Sequence, residues 1–568
     1  MNKFIGDCLA SIYDKGMLWA HSSALWGELL LAAYFAVLLT LAIFGLHRYR
    51  MVYLYFRHRQ PNPAGRFQEL PRVTVQLPLY NELYVVERLV DAVCGLDYPR
   101  DRLQIQVLDD STDETSVVAR GAVERHRARG VDIQYLHRAD RYGFKAGALD
   151  AGMSEATGEL IAVFDADFVP GASFLQETVH YFAEPGVGMV QARWGHVNAD
   201  YSTLTRVQAV LLDAHFVLEH GGRNRAGCFF NFNGTAGLWR RRCIEEAGGW
   251  EHDTLTEDMD LSYRAQLRGF RFIFLPDVVV PAELPVSINA FKSQQHRWSK
   301  GSIQTARKLL PKILASPLPR TVKLESLFHL TANVSYPLMV LLSLLMFPSM
   351  ILRFDMGVSE MLLVDLPLFF LATASVTSFY VVSQRELYTD WKGRLRVLPV
   401  LLSLGIGMCL NNARAVLEAL LGRETEFVRT PKYGIESSDE EWRLKKYRGL
   451  ASFLPLLEVG LGLYFTATVA YAPAGGSTGR FRFSCCSRQG SSTPEFSRSG
   501  SGSSSGPQGS GKPRKAPSSS PAKTGPVAVS GGSFVGRSLS AEDEAETWCL
   551  AQAVRRAARR RRKQTKDS

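Results

Sequence analysis

Apolar positions fall along this chain in two different patterns. At 29–46, 327–352, 361–382 and 451–471 they run almost unbroken for 18 residues or more, the length an α-helix needs to cross a bilayer. The run at 397–421 is comparably apolar but carries Asn411, Asn412 and Arg414 and has basic residues on both sides. That predicts an interfacial or re-entrant helix rather than a crossing. Residues 287–315 are amphipathic and basic and predict a further interfacial helix leading into the span at 327. Between 72 and 285 the pattern changes. Short apolar runs (VTVQLPL at 73–79, LQIQVLD at 103–109, IQYLH at 133–137, LIAVFD at 160–165, GMVQA at 188–192, FIFLP at 272–276) alternate with amphipathic helical windows. Strands separated by helices predict an α/β domain with a mainly parallel sheet. The chain then divides into an N-terminal region 1–60 with a membrane helix at about 29–46, a soluble domain at 72–285, interfacial helices at 286–320, a membrane region at 327–472 and a tail at 473–568.

Composition refines this picture mainly at the tail. The 568 residues are 46% hydrophobic and 21% charged, enough for a large core in more than one domain. From Pro473 on there are 17 Lys+Arg against 6 Asp+Glu, which accounts for the whole formal net charge of +11. The body is therefore about neutral, and nucleic-acid binding is not supported. The tail is rich in Gly, Ser and Pro, ends in an Arg run at 559–562, and is expected to be disordered. The eight cysteines form no CxxC pair and read as reduced thiols rather than a disulfide framework or zinc site. The N-terminus lacks a signal-peptide cleavage pattern, so its apolar run is expected to stay. His47, Arg48, Arg50, Arg57, His58 and Arg59 follow that run, which places this end in the cytoplasm. Counting crossings then puts the basic tail outside, against the charge rule. The conflict resolves if 476–490 (GSTGRFRFSCCSRQG) is a shifted frame of a last membrane helix. Gene sequencing with no apolar reading in either alternative frame would overturn that expectation.

Four polar groups carry the candidate chemistry. Asp109-Asp110 closes one strand, Asp165-Ala166-Asp167 closes another, Thr256-Glu257-Asp258 follows a Gly-Gly-Trp turn, and Gln294-Gln295-His296-Arg297-Trp298 opens the basic helix. Each alone is ordinary, since an Asp at a strand end is most often a cap or turn residue. Their joint occurrence at element ends points to one chemistry. Two carboxylates one residue apart repel unless a cation offsets them. Mg²⁺ or Mn²⁺ is typically held by one or two carboxylates and phosphate oxygens, so Asp165 and Asp167 suit a metal carrying a nucleotide diphosphate. Lys145 and Arg297 suit the same phosphates. Asp258 suits the proton of an acceptor hydroxyl. Trp298 offers a flat face to a sugar ring, with Gln294 on the same helical face.

The blocks QLPLYNE (76–82), LDDSTD (108–113), RYGFKAGALDAGM (141–153), FDADFVP (164–170), VQARWGHVNAD (190–200), FNGTAGLWR (232–240), EAGGW and TEDMDLSYRA (246–265), ELP and QQHRW (283–298) and FVRTPKYG (427–434) occur in this order. They resemble the family 2 glycosyltransferases, and within them the cellulose synthase-like A glucomannan (β-1,4-mannan) synthases and their bacterial relatives. The resemblance covers roughly 73–434. It implies an α/β GT-A domain, of the Rossmann-like nucleotide-sugar transferase kind, inserted between transmembrane helices and facing the cytoplasm of a bacterial inner or plasma membrane. Asp109 and Asp110 would contact the nucleoside, and Tyr80 and Glu82 would line the base pocket. Lys145, Asp165 and Arg297 would hold the donor, Asp165 and Asp167 the metal, and Asp258 would be the base of an inverting transfer. Glu257, Asn233, Gly234, Thr235, Gln294 and Trp298 would face the acceptor. Phe427, Thr430 and Lys432 would belong to a gating loop. The implied reaction moves a hexose from GDP-mannose or UDP-glucose to a growing β-linked glycan. The alternative is a non-processive transfer to a lipid acceptor, diacylglycerol or a polyprenyl phosphate, with the same donor site. A silent membrane scaffold is disfavoured because all four polar groups are intact.

Overall fold

The computed structural model describes residues 2–58, 65–353, 358–423, 425, 429–437, 440–443, 445–447 and 454–474. Phe427 of the expected gating loop, the tail from 475 and the 476–490 stretch lie outside the described residues.

Helix α1 (Asn2–Arg57) leads into the α/β domain. The chain then runs β1 (Val73–Leu79), α2 (Val86–Cys94), β2 (Leu103–Asp109), α3 (Thr115–Arg127), β3 (Ile133–His137), α4 (Phe144–Glu155) and β4 (Leu160–Val163). It continues with α5 (Phe174–Thr178), β5 (Val187–His196), α6 (Thr203–Ala214), a π-helical turn (His215–His220), α7 (Gly221–Arg225), β6 (Gly237–Arg240), α8 (Arg241–Glu246), α9 (Glu257–Leu267) and β7 (Arg271–Ala282). The seven strands form one sheet in the order β3-β2-β1-β4-β6-β5-β7. The first four are mutually parallel, β6 is antiparallel to both its neighbours, and β5 is parallel to β7. The sequence pattern anticipates all of these strands but β6, whose GLWR is too short to show a period.

The alternation of the strands with helices explains the burial. β1 and β2 are covered on both faces, as expected for parallel strands between helical layers. Their inward polar residues pair with each other across the ladder: Thr74 Oγ1 donates to Gln104 Oε1 at 2.7 Å and Gln76 Nε2 to Gln106 Oε1 at 3.1 Å. Helix α2 buries Val86, Leu89, Val90 and Val93, the i, i+3, i+4, i+7 stripe of an amphipathic helix. One face of the sheet carries Val75, Leu77, Leu89 and Val123 in its core, and a second core gathers Ile161, Val163, Trp239 and Leu261. Because β2 and β4 flank β1, the strand order reverses direction there. Ligand crevices form at such switch points, outside the carboxyl ends of the strands.

After the sheet, Ser287 caps α10 (Ile288–Ala315) by accepting from the Ala290 amide at 3.3 Å. Then follow α11 (Arg320–Thr331), α12 (Ser335–Leu352), α13 (Val358–Leu387), α14 (Trp391–Arg394), α15 (Leu398–Gly407), α16 (Cys409–Leu420) and α17 (Leu454–Ala474). Among the described residues, three helical stretches are long and apolar enough to cross a membrane: Leu25–Arg57, Arg320–Leu352 and Asp365–Leu387. The pair Trp391–Gly407 and Cys409–Leu420, bent by 41°, makes a fourth if counted as one broken span. This is the segment whose Asn and Arg content predicts an interfacial or re-entrant helix. By its helices the chain is a membrane protein.

Candidate active site

A cavity of about 170 Å³ opens where β1, β2 and β4 end. Its walls come from sequence-distant segments because each strand hands the chain to a loop at this edge of the sheet. Tyr80 and Glu82 follow β1, Asp110 follows β2, and Asp165 and Asp167 follow β4. Glu257 and Asp258 occupy the first turn of α9, and Gln294, Arg297 and Trp298 come from α10. Three non-glycine residues around this edge have positive φ: Asn81 at 56°, Phe144 at 52° and Ala236 at 55°. Backbone strain of this kind persists where the surroundings hold it, commonly at functional sites.

The centre of the cavity is an ion cluster. Lys145 Nζ donates to Asp165 Oδ1 at 2.6 Å and to the Gly234 carbonyl at 2.9 Å, and lies 3.9 Å from Glu257. Burial lowers the pKa of this ammonium, but Asp165 and Glu257 more than offset it and the net shift is upward. Asp165 is fixed in turn by its amide, which donates to Thr235 Oγ1 at 2.8 Å. Asp258 sits beside Gly234, where an added Cβ would meet Asp258 Oδ2 at 2.9 Å. Only glycine allows that approach, and its φ of +81° favours glycine as well. Burial, with the neighbouring Glu257 charge, pushes the Asp258 carboxyl up to about 7, against the pull of Lys145. A base is most useful with its pKa near the working pH. Arg297 is half-buried with Glu257, Asp165 and Asp258 facing it, and desolvation lowers its guanidinium pKa.

Where the cavity meets the ends of β1 and β2, Arg138 grips Asp110 with two hydrogen bonds of 2.8 and 2.6 Å. The Arg141 guanidinium stacks 3.3 Å from the Tyr80 ring centroid. Glu82 pairs with Arg429 at 2.7 Å, and burial still pushes its carboxyl up to about 7. The segment around Thr430 and Lys432 covers this end. Lys432 Nζ donates to Asp167 Oδ2 and to the Glu283 carbonyl, both at 2.6 Å. The amides of Tyr433 and Gly434 donate to the two Glu283 oxygens at 2.9 and 2.8 Å.

Among the residues singled out from sequence, Tyr80, Glu82, Asp110, Lys145, Asp165, Asp167, Asn233, Gly234, Glu257, Asp258, Gln294, Arg297, Trp298, Thr430 and Lys432 line the cavity. Asp109 and Thr235 do not. Asp109 is fully buried and accepts from the Ser111 amide at 3.0 Å and the Tyr135 hydroxyl at 2.6 Å. Thr235 stands behind Asp165. Sequence reasoning missed Arg138, Arg141 and Glu283, and Trp194, which it reads as a sugar-stacking or a core-packing residue, also lines the cavity. Arg141 and Glu283 stand at the edges of quoted blocks, but nothing in their spacing marks their partners.

The donor set at Asp165 and Asp167 is all carboxylate oxygen, in a cavity already holding cations at one oxygen of each. That chemistry fits Mg²⁺ or Mn²⁺ rather than a softer metal. A second acidic group, Glu251, Asp253 and Asp260, surrounds Lys308 at 2.5, 2.8 and 3.0 Å, so an ammonium already fills it.

Residues 71–301 match the family described as glycosyltransferase like family 2. The chain is 35% identical over 424 residues to glucomannan 4-beta-mannosyltransferase 1 of Cyamopsis tetragonoloba, covering 72% of this chain and 77% of that protein. It is 46% identical over 249 residues to glucomannan 4-beta-mannosyltransferase 1 of Oryza sativa subsp. japonica, covering 43% of this chain and 48% of the relative. The match to glucomannan 4-beta-mannosyltransferase 2 of Arabidopsis thaliana is 45% over 249 residues, 43% and 47% of the two chains. The matched part thus spans about half the length of the rice and Arabidopsis relatives. A solved mannosyltransferase from Pyrobaculum calidifontis, in complex with GDP-Man and Mn²⁺, is 22% identical with a TM-score of 0.48, covering 70% of this chain and 99% of its own. The breadth and identity of the Cyamopsis match, with the family 2 match beneath it, decide the assignment: this chain, similar to the glucomannan 4-beta-mannosyltransferases, belongs to the family 2 glycosyltransferases.

Proposed function

We propose that this chain transfers mannose from GDP-mannose to the end of a growing β-linked glycan, with UDP-glucose the competing donor, and that its catalytic domain faces the cytoplasm. The observation carrying this reading is Asp258. It is a half-buried carboxyl pushed up to about 7, set against the acceptor-side Gly234 and in one cavity with Lys145, Asp165 and Arg297. Asp258 takes the proton of the attacking hydroxyl as the new glycosidic bond forms and the bond to the diphosphate breaks. Lys145 and Arg297 face the negative charge that builds on the leaving diphosphate. Asp165 and Asp167 would hold a divalent cation, which when bound supplies charge neutralisation to that same diphosphate. Trp298, 6.5 Å from the Trp194 ring, supplies an apolar face for the acceptor sugar. The cytoplasmic orientation is supported by the basic residues that end α1. The glucomannan 4-beta-mannosyltransferases named above are from plants, which gives the expected bacterial membrane no support.

Membrane vesicles supplied separately with radiolabelled GDP-mannose and UDP-glucose, each with Mg²⁺ or Mn²⁺, test the reading. Insoluble label released by mannanase is the expected result. Label released by cellulase instead would rename the sugar, and label confined to the lipid extract would replace the glycan acceptor by a lipid.

A further inference from the structure

A line of polar contacts leads from the acceptor side of the cavity into the membrane helices, and no step of the reaction above uses it. Asn233 lines the cavity next to Gly234. Its Nδ2 lies 3.1 Å from His215 Nε2. His215 Nδ1 lies 2.8 Å from Glu219 Oε2 on the same π-helical turn. Insertions of this kind recur at functional sites. The two partners of His215 fix its tautomer. Burial raises the Glu219 carboxyl pKa, but the His215 hydrogen bond and Arg223 outweigh it and hold the group well below the usual range. Glu219 is therefore an acceptor for His215 Nδ1, and because the Asn233 Nδ2 can only donate, His215 Nε2 is the acceptor of that contact. That bond takes the Asn233 N–H and turns the other end of the amide away. Asn233 Oδ1 is buried and has no hydrogen-bond partner among the described residues. A buried carbonyl left unpaired is destabilising, and a ligand hydroxyl would relieve that.

The turn is braced from behind. Arg223 lies 3.6 Å from Glu219 and donates through Nε to Glu325 on α11 at 3.1 Å. Glu325 also pairs with His47 of α1 at 3.0 Å.

We propose that Glu219 and His215 set the Asn233 amide so that its Oδ1 accepts a hydrogen bond from a hydroxyl of the incoming glycan end. His215 is then a positioning residue for acceptor binding, acting through Asn233. The inference rests on the function proposed above.

The test uses the full chain in membranes, radiolabelled GDP-mannose as donor and added β-1,4-mannohexaose as acceptor. His215→Phe should raise the KM for mannohexaose roughly three- to tenfold, the worth of one hydrogen bond, with GDP-mannose affinity unchanged. His215→Gln keeps an acceptor where Nε2 stood and should recover most of the loss. Asn233→Ala should match His215→Phe, and the double variant should be no worse than Asn233→Ala alone, because coupled residues are not additive. An unchanged KM in His215→Phe, losses that multiply in the double variant, or an equal fall in GDP-mannose affinity would each overturn the inference while the wild type still transfers mannose. A wild type that transfers neither mannose nor, from UDP-glucose, glucose to mannohexaose would overturn the proposed function and this inference with it.

Discussion

Asp258 shows how an ordinary residue type becomes a specific tool. In sequence, Thr-Glu-Asp reads equally well as the opening turn of a helix, and it is one: Glu257 begins α9. What the sequence does not reveal is that desolvation and the neighbouring Glu257, against the pull of Lys145, push the next carboxyl, half-buried in the cavity, up to about 7. Replacing it by Asn should lower transfer about 10²–10⁴-fold while GDP-mannose binding stays near wild type. In the wild type, kcat/KM should climb with pH through a midpoint near 7, as the base loses its proton. The stability effect has the opposite sign. A carboxyl whose folded pKa is raised binds more protons folded than unfolded, so it weakens the fold as pH rises from about 4 to 7. Asp258→Asn should therefore melt above the wild type at pH 8 and alongside it at pH 4, in thermal scans of the detergent-solubilised protein. Equal melting at pH 8 would remove the strained-base account. Asp109 makes the reverse point. Its place at a strand end looks functional, yet it is spent on the Ser111 amide and Tyr135 hydroxyl, and only the neighbouring Asp110 reaches the cavity.

At the scale of elements, the strands and helices were legible wherever they carry a period of two or 3.6 residues, which is why β6, four residues in an antiparallel turnback, escaped. The strap around Thr430 and Lys432 was legible only on one side. FVRTPK announces a cationic loop, but its anchor, Glu283, lies directly after β7, about 150 residues earlier in the chain. No local pattern links them, because the contact exists only once β7 runs beside β5 and delivers Glu283 to the cavity rim. One carboxylate there receives two backbone amides, and its own carbonyl receives Lys432. Hydrogen bonds to a charged group are worth about 1.5–3 kcal/mol each. Glu283→Ala should speed hydrogen exchange at the Tyr433 and Gly434 amides roughly tenfold or more, measured by mass spectrometry, with little change at the β1 and β2 amides. Unchanged exchange at 433 and 434 would mean that the strap is held elsewhere.

Across the whole molecule, the membrane helices and the catalytic domain meet through buried charge. Glu325, fully buried, faces His47 and Arg50 of α1 and Arg223 of the catalytic domain. Glu325→Ala leaves the buried Arg223 guanidinium without this partner and should destabilise the protein by about 3–5 kcal/mol, read as a lowered melting temperature in detergent, with Glu325→Gln intermediate. The cavity presents the complementary problem. Seven carboxyl groups line it against five Lys and Arg side chains, and one of the seven, Asp110, is already matched by Arg138 from outside the lining. The remaining charges are close to balance before any donor arrives, so a diphosphate enters a site with no cationic surplus to receive it. Either further positive charge comes with the donor, or Lys145 and Lys432 must leave Asp165 and Asp167 for the phosphates and expose two carboxylates to each other. A divalent cation on that pair removes the conflict. EDTA should therefore stop transfer, and Mg²⁺ or Mn²⁺ in excess should restore it, while Asp167→Ala should lose the restoration even though Lys145 keeps Asp165. Full turnover in EDTA would assign the neutralisation to Lys145, Lys432 and Arg297 alone, and Asp165 and Asp167 would then serve to hold those lysines in place.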